Sequence, residues 1–141
     1  GVEMITIKKQ EIVKLEDVLH LYQAVGWTNY TNQPQMLEQA LSHSLVIYLA
    51  LDGNAVVGLI RLVGDGFSSV FVQDLIVLPS YQRQGIGSLL MKEALKDYKD
   101  AYQVQLVTEE TERTLGFYRS MGFEILSTYN CIGMTWVNRE K

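Results

Sequence analysis

A chain of 141 residues with 48% hydrophobic and 20% charged residues has the length of one domain and enough apolar material for a real core. Its net charge of −4 and pI near 5.1 exclude a general nucleic-acid surface, which is basic, and mildly favour cationic partners such as amines. No apolar run is long enough to cross a membrane, no signal peptide opens the chain, and one cysteine, Cys131, makes no internal disulfide, so a cytoplasmic protein with no membrane partner is expected.

Gly1-Val2-Glu3 ahead of Met4 reads as a cloning remnant before a native start. Residues 4–8 alternate apolar and polar and predict a short strand. Over residues 15–25, Leu15, Val18, Leu19, Leu21, Tyr22 and Val25 recur at helical spacing, and Gly26 is placed to end that helix. Residues 27–33 read as a polar loop carrying Trp27 and Tyr30. Pro34 suits a first helical position, and residues 35–43 predict a second, short helix.

Residues 45–51 and 55–63 are apolar runs parted by Asp52-Gly53-Asn54, a hairpin signal. Asp65-Gly66 offers a second turn into a run over residues 67–78, which completes an antiparallel meander. Strands that are apolar on both faces belong mid-sheet, covered on both sides. Residues 85–98 predict a helix with Ile86, Leu89, Leu90 and Ala94 inward and Lys92, Lys96 and Lys99 outward. Residues 104–108 predict a strand parallel to residues 70–78, because a helix separates the two. Residues 111–121 predict a helix with Leu115, Tyr118 and Met121 inward and Gly122 as its C-terminal cap. Residues 123–127 and 131–138 are expected to close the sheet as a last hairpin. The expected architecture is one mixed α+β domain over residues 1–141, with a mostly antiparallel sheet of about seven strands and about four helices.

Several chemistries are set aside. His20 and His43 lie far apart with no cysteine pair near them, so no metal site is expected. Cys131 in an apolar run reads as a small buried hydrophobe rather than a nucleophile. The stretch from Val72 to Leu90 reads as a strand, a two-glycine turn and a helix N-terminus, which is an anion site in general terms. No Gly-Lys-Ser/Thr follows, so it is not a P-loop. Position 90 is leucine rather than the third glycine of a dinucleotide fingerprint.

Val77-Leu78-Pro79 followed by Gln82-Arg83-Gln84-Gly85-Ile86-Gly87 resembles the acyl-CoA motif of the GNAT family of N-acetyltransferases, Gln/Arg-x-x-Gly-x-Gly/Ala. A second anchor, Gly116-Phe117-Tyr118-Arg119-Ser120-Met121-Gly122-Phe123, resembles that family's Phe-Tyr-x-x-x-Gly-Phe signature. The resemblance implies a GNAT fold using acetyl-CoA as co-substrate and no metal. The strands at 70–78 and 103–108 would part to admit the pantetheine arm. Backbone groups of Leu75 and Val77 would pair with that arm, with an N–H near Leu75 or Ile76 facing the oxyanion. The N–H groups of Gln82, Arg83, Gln84, Gly85, Ile86, Gly87 and Ser88 would wrap the pyrophosphate. Thr111 stands where many relatives carry an asparagine that contacts the cofactor.

By the same resemblance Tyr118 would protonate the departing thiolate. Asp74 is a candidate general base, because Gln73 and Asp74 interrupt an apolar strand and buried polar groups are costly unless paired. The other reading of Asp74 is that it satisfies a neighbouring backbone or tyrosine group. Phe71 stands where histone-type relatives carry a glutamate base. Trp27, Tyr30 and Gln73 would line the acceptor side, where aromatics suit an amine. The expectation is direct acetyl transfer to the primary amine of a small molecule. A protein amine, an acyl-CoA-binding regulatory module and an interaction domain are the alternatives. A homodimer is also an expectation, since homodimers are common in relatives.

Overall fold

The computed structural model describes residues 4–141, and the expected cloning remnant Gly1-Val2-Glu3 lies outside the described residues. The chain runs β1 (Ile5–Gln10), α1 (Leu15–Ala24), α2 (Thr28–Thr31), α3 (Pro34–Ser42), β2 (Val46–Asp52), β3 (Ala55–Gly64), β4 (Ser69–Val77), α4 (Ile86–Tyr98), β5 (Gln103–Leu106) and α5 (Glu112–Ser120). It divides into two compact units, one ending at Leu106 and one covering Val107–Lys141.

In the first unit the five strands form one sheet in chain order. The first three pairings are antiparallel and β4 with β5 is parallel. That is the expected meander, with the α4 crossover making the last strand parallel. Both faces are covered. Ile47, Leu49, Leu59 and Ile76 pack in one core with Val18, Leu21 and Tyr22 of α1, Tyr30 of α2, and Leu37 and Leu41 of α3. The opposite face is lined by α4, whose Ile86, Leu90, Met91 and Ala94 are buried. Gly58 faces α4: a Cβ there would lie 3.4 Å from Leu90 Cδ1 and 2.9 Å from the Ile76 carbonyl.

The register along β3 and β4 slips by one residue. Leu62 lies opposite Val72 and Arg61 opposite Asp74, so Gln73 is the extra residue of a β-bulge. A bulge inverts which side each later residue faces. Val70 and Val72 therefore pack on the α4 side, whereas Asp74 and Ile76 face α1, α2 and α3. The run 67–78 was expected to be strand throughout, but Asp65 holds its first residues in a turn. Its carboxylate accepts from the N–H groups of Phe67, Ser68 and Ser69 and from the Ser68 hydroxyl. The loop expected at residues 27–33 contains one helical turn, α2, before Pro34 opens α3.

The second unit holds α5, capped by Thr111, whose Oγ1 accepts from the N–H of Thr114 at 3.2 Å. Gly122, at φ +98°, follows its C-terminus as expected. The expected hairpin over 123–127 and 131–138 is a correction. Residues 107–141 contain no strand. Leu126–Tyr129 winds into a 3-10 turn, and Asn130 at φ +58° reverses the chain. Apolar residues do alternate at Ile132, Met134 and Trp136, but all three are exposed. Alternation makes a strand only where a ladder partner supplies hydrogen bonds. Cys131, expected to be buried, is exposed for the same reason. The count is therefore five strands and five α-helices among the described residues, not about seven and about four.

Candidate active site

The site begins where β4 outruns its neighbour. Pairing with β5 ends at Val72 opposite Leu106, and β4 continues to Val77. Leu78 donates to the Val57 carbonyl, and the Ile76 carbonyl lies beside Gly58, so residues 76 and 78 address β3. In an extended strand successive residues point their backbone groups to opposite sides. Leu75 and Val77 therefore face away from β3, on the side where β5 has ended. One of these acceptors is taken, since Gln82 Nε2 donates to the Val77 carbonyl at 3.1 Å. The N–H and carbonyl of Leu75 and the N–H of Val77 have no strand partner among the described residues of this unit.

The turn after β4 leaves several backbone N–H groups without an acceptor among the described residues. Pro79–Tyr81 forms a 3-10 turn, pinned by the Tyr81 hydroxyl to Asp52 at 2.6 Å. Arg83 at φ +64° and Gly85 at φ +80° are both left-handed, and such alternation turns successive N–H groups to one side. Leu89 donates to the Gly85 carbonyl, and the N–H groups of Ile86, Gly87 and Ser88 find no backbone acceptor among the described residues. α4 has neither a side-chain cap nor an acidic residue in its first turn. By contrast α1 opens with Glu16 and Asp17, and α5 with Glu112. Nothing at Gly85 lies within 4 Å of where a Cβ would stand. A phosphate-bearing ligand fits this combination of free donors, exposed Arg83 and Gln84, and open space.

Behind β4 lies a buried ion pair. Arg61 Nε donates to Asp74 Oδ2 at 2.7 Å, and the two side chains are 4% and 2% exposed. Tyr22 also donates to Oδ2, at 2.8 Å, and Tyr30 to Oδ1, at 2.9 Å. Arg61 reaches further to the Ser44 hydroxyl, the Ala40 carbonyl and the Tyr30 oxygen. Burial pushes the Tyr22 and Tyr30 phenols up, and the negative Asp74 adds to it. Burial works against the Arg61 charge, yet Asp74 and the two tyrosines more than offset it and hold the guanidinium firmly protonated. Asp74, a candidate base in the sequence, thus has both oxygens occupied and almost no contact with water.

Tyr30, expected to line the acceptor side, is buried behind the exposed Gln73. It is 8% exposed, packs edge-on against Tyr22 at 5.1 Å, and lies 6.3 Å from half-buried Trp27. Gln73 itself is exposed and donates from Nε2 to the Tyr30 oxygen at 3.4 Å.

In the second unit Tyr118 packs edge-on against Phe117 at 5.0 Å and Phe123 at 5.9 Å. Burial raises its phenol, partly opposed by the Thr108 hydroxyl, so it is a protonated donor at neutral pH. The hydroxyl of Thr111 serves as the α5 cap.

A family model described as an acetyltransferase (GNAT) domain matches residues 43–125, more than half of the chain. That match takes in the bulged strand, the anion turn and the Tyr118 motif together. The chain belongs to the GNAT acetyltransferase family. It is 85% identical to a GNAT family acetyltransferase of known structure from Streptococcus pneumoniae TIGR4, with a TM-score of 0.88 over 96% of this chain and 98% of that one. It is 32% identical, over 64% of its length, to serotonin N-acetyltransferase 2, chloroplastic, of Oryza sativa subsp. japonica. It is 25% identical, over 93% of its length, to GCN5-related N-acetyltransferase 1, chloroplastic, of Arabidopsis thaliana. The chain spans 48% of the rice protein and 66% of the Arabidopsis one.

Asp74, Gln73 and Tyr30, each expected at the site, join one hydrogen-bonded cluster that also takes in Arg61 and Tyr22, to which the sequence assigns no site role. The signal for Arg61 was present: it is the lone charge in the apolar run 55–63. Two opposite charges, each alone in an apolar strand on either side of one hairpin, point to each other.

Proposed function

We propose that this chain transfers the acetyl group of acetyl-CoA directly to the primary amine of a small molecule. One observation carries the reading: β4 continues beyond its pairing with β5 and leads into an acid-free helix N-terminus. An extended thioester arm suits an unpaired strand edge, and a pyrophosphate suits the N–H groups of Ile86, Gly87 and Ser88. Leu75 and Val77 would hold the arm, with Val77 offering only its N–H. Acetyl-CoA, when bound, supplies the activated acyl group. The chain's own part is to position it, to present an N–H of β4 to the developing oxyanion, and to receive a neutral amine.

Tyr118 is assigned the proton of the departing thiolate, on its motif and its raised phenol. The acceptor is taken as a small primary amine because the rice relative is named for serotonin, a primary amine, and because the chain is acidic. Asp74 is offered as a group that positions Tyr30 and Gln73, since three donors already occupy its oxygens. An unchanged pH–rate profile in Asp74→Asn is the result expected of that role, whereas loss of the basic limb would restore Asp74 as the base.

The test is release of free thiol from acetyl-CoA with serotonin, polyamines and amino sugars as acceptors, beside melting curves with acetyl-CoA. Turnover with at least one amine is expected. A melting temperature unmoved by acetyl-CoA would sink the cofactor assignment. Stabilisation without turnover on any amine would make the chain an acyl-CoA-binding module.

A further inference from the structure

Resting on that reading, we infer that the buried Arg61–Asp74 pair acts through Tyr30 to fix the polarity of Gln73, so that the site presents a carbonyl oxygen and selects a hydrogen-bond donor, a primary ammonium or amine, over an anion.

The Tyr30 hydroxyl has one proton and two lone pairs. Its proton goes to Asp74 Oδ1 at 2.9 Å, and one lone pair accepts from Arg61 Nη2 at 3.2 Å. What remains is a single acceptor position. The carboxamide of Gln73 meets it at 3.4 Å, and only its NH₂ end has a proton to give. With Nε2 turned to Tyr30, Oε1 is the end left for a ligand. Turning the amide over would set Oε1 against an oxygen with no proton to spare, a repulsion in place of a bond.

The position of Gln73 gives this polarity a use. It is the bulged residue, without a partner on β3, and the first residue of β4 beyond the pairing with β5. It is exposed, whereas Tyr30, Arg61 and Asp74 behind it are buried. Arg61 itself is tied to the Ala40 carbonyl and the Ser44 hydroxyl, so the end of α3 and the chain after it also hold the orientation. Arg61, Asp74 and Tyr30 are positioning residues, and Gln73 is the contact.

The experiment follows the Gln73 side-chain amide by NMR, assigned by its disappearance in Gln73→Leu. 2-Phenylethylammonium and 3-phenylpropanoate are titrated as probes of equal shape and opposite charge. The ammonium is expected to shift the Gln73 resonances and the carboxylate to leave them in place. Tyr30→Phe, which keeps the ring and the Arg61–Asp74 bond, should release the amide. The preference for the ammonium should then fall about tenfold, while the affinity for acetyl-CoA is kept. A carboxylate that shifts Gln73, an ammonium that does not, or a preference unchanged in Tyr30→Phe would each overturn the inference. Acetyl-CoA-induced shifts of the Ile86, Gly87 and Ser88 amides report the cofactor reading separately: their presence without an ammonium response sinks the inference alone, and their absence sinks the proposed function.

Discussion

Arg61 holds Asp74 across 2.7 Å inside the apolar layer between the sheet and the first three helices, with both side chains nearly excluded from water. Each charge loses several kcal/mol of hydration there. Full hydrogen bonding makes the pair tolerable: no buried side-chain nitrogen or oxygen among the described residues lacks a partner. The bulge at Gln73 is what sends Asp74 to the face of Arg61. Were Gln73 held in regular alternation between Val72 and Asp74, the carboxylate would instead face the side of α4.

Removing one partner should be far worse than removing both. Arg61→Met leaves Asp74 buried without its cation and is expected to lower unfolding free energy by about 3–5 kcal/mol. Arg61→Met with Asp74→Leu should recover part of that loss, since no lone charge remains. It does not recover all, because the Tyr22 and Tyr30 hydroxyls lose their acceptor. Urea unfolding of the two variants gives the order. A double variant less stable than the single one would show that the pair is not the source of the cost.

The turn between β3 and β4 sets a second contrast. Gly64 sits at φ +126°, and a Cβ there would stand 2.2 Å from the Ser69 carbonyl oxygen. Gly53, in the β2–β3 turn, is at φ +60° with nothing within 4 Å. Gly53→Ala should therefore cost only about 1–2 kcal/mol, the left-handed penalty. Gly64→Ala adds overlap with backbone that cannot move aside, and should cost more than about 3 kcal/mol. Equal melting temperatures for the two would contradict the geometry of this turn.

The parts of this molecule legible in the sequence are those governed by local chemistry. Gly26, Pro34, Gly85 and Gly122 mark helix ends because backbone conformation there depends on the residue itself. Asp52-Gly53-Asn54 predicts its hairpin for the same reason. Apart from α2, expected as a loop, the order of elements through β5 followed from apolar periodicity and turn residues. What the sequence concealed depends on partners distant along the chain. The bulge is a relation between Gln73 and the neighbouring strand β3, and no composition signal separates it from regular alternation. Residues 131–138 alternate as a strand should, yet whether they become one is decided by a neighbour. Arg61 was legible in principle, but only to a reading that paired lone charges across a hairpin before asking which was catalytic.

Alkaline pH offers a test of the buried tyrosines. Burial raises the Tyr22 phenol, with the Asp74 charge adding to it. Burial likewise raises Tyr48, together with its 2.6 Å bond to Asp97. A phenol whose folded pKa lies above its unfolded value, near ~10, binds its proton more tightly in the folded state. That stability is fully present below about pH 10 and is lost as pH rises through the folded values. Stability should thus hold from neutrality to about pH 10 and fall steeply above it. Of the eight tyrosines, Tyr22 and Tyr48 should ionise only as the chain unfolds, seen as tyrosinate absorbance rising together with loss of circular dichroism. Reversible titration of all eight with the fold intact would refute it.

The anion turn makes the last prediction, and it separates backbone shape from side-chain contact. Gly85 is at φ +80° with open space around it, so Gly85→Ala meets no clash and acts through conformation alone. Holding alanine in the left-handed region costs about 1–2 kcal/mol, which the loop can shed by leaving the shape that aims its N–H groups. On the proposed function, acetyl-CoA must then restore that shape when it binds, and its Kd should rise about tenfold. Gln82→Leu acts differently. It keeps the backbone but frees the Val77 carbonyl and loosens the turn from the strand end, so a smaller rise of about threefold is expected. Wild-type protein at a hundredfold excess of acetyl-CoA over Kd should gain about 2.7 kcal/mol of stability. Calorimetric titration of the three proteins supplies the Kd values. A Gly85→Ala variant that binds acetyl-CoA as tightly as wild type would mean that the left-handed turn does not aim the N–H groups that hold the pyrophosphate.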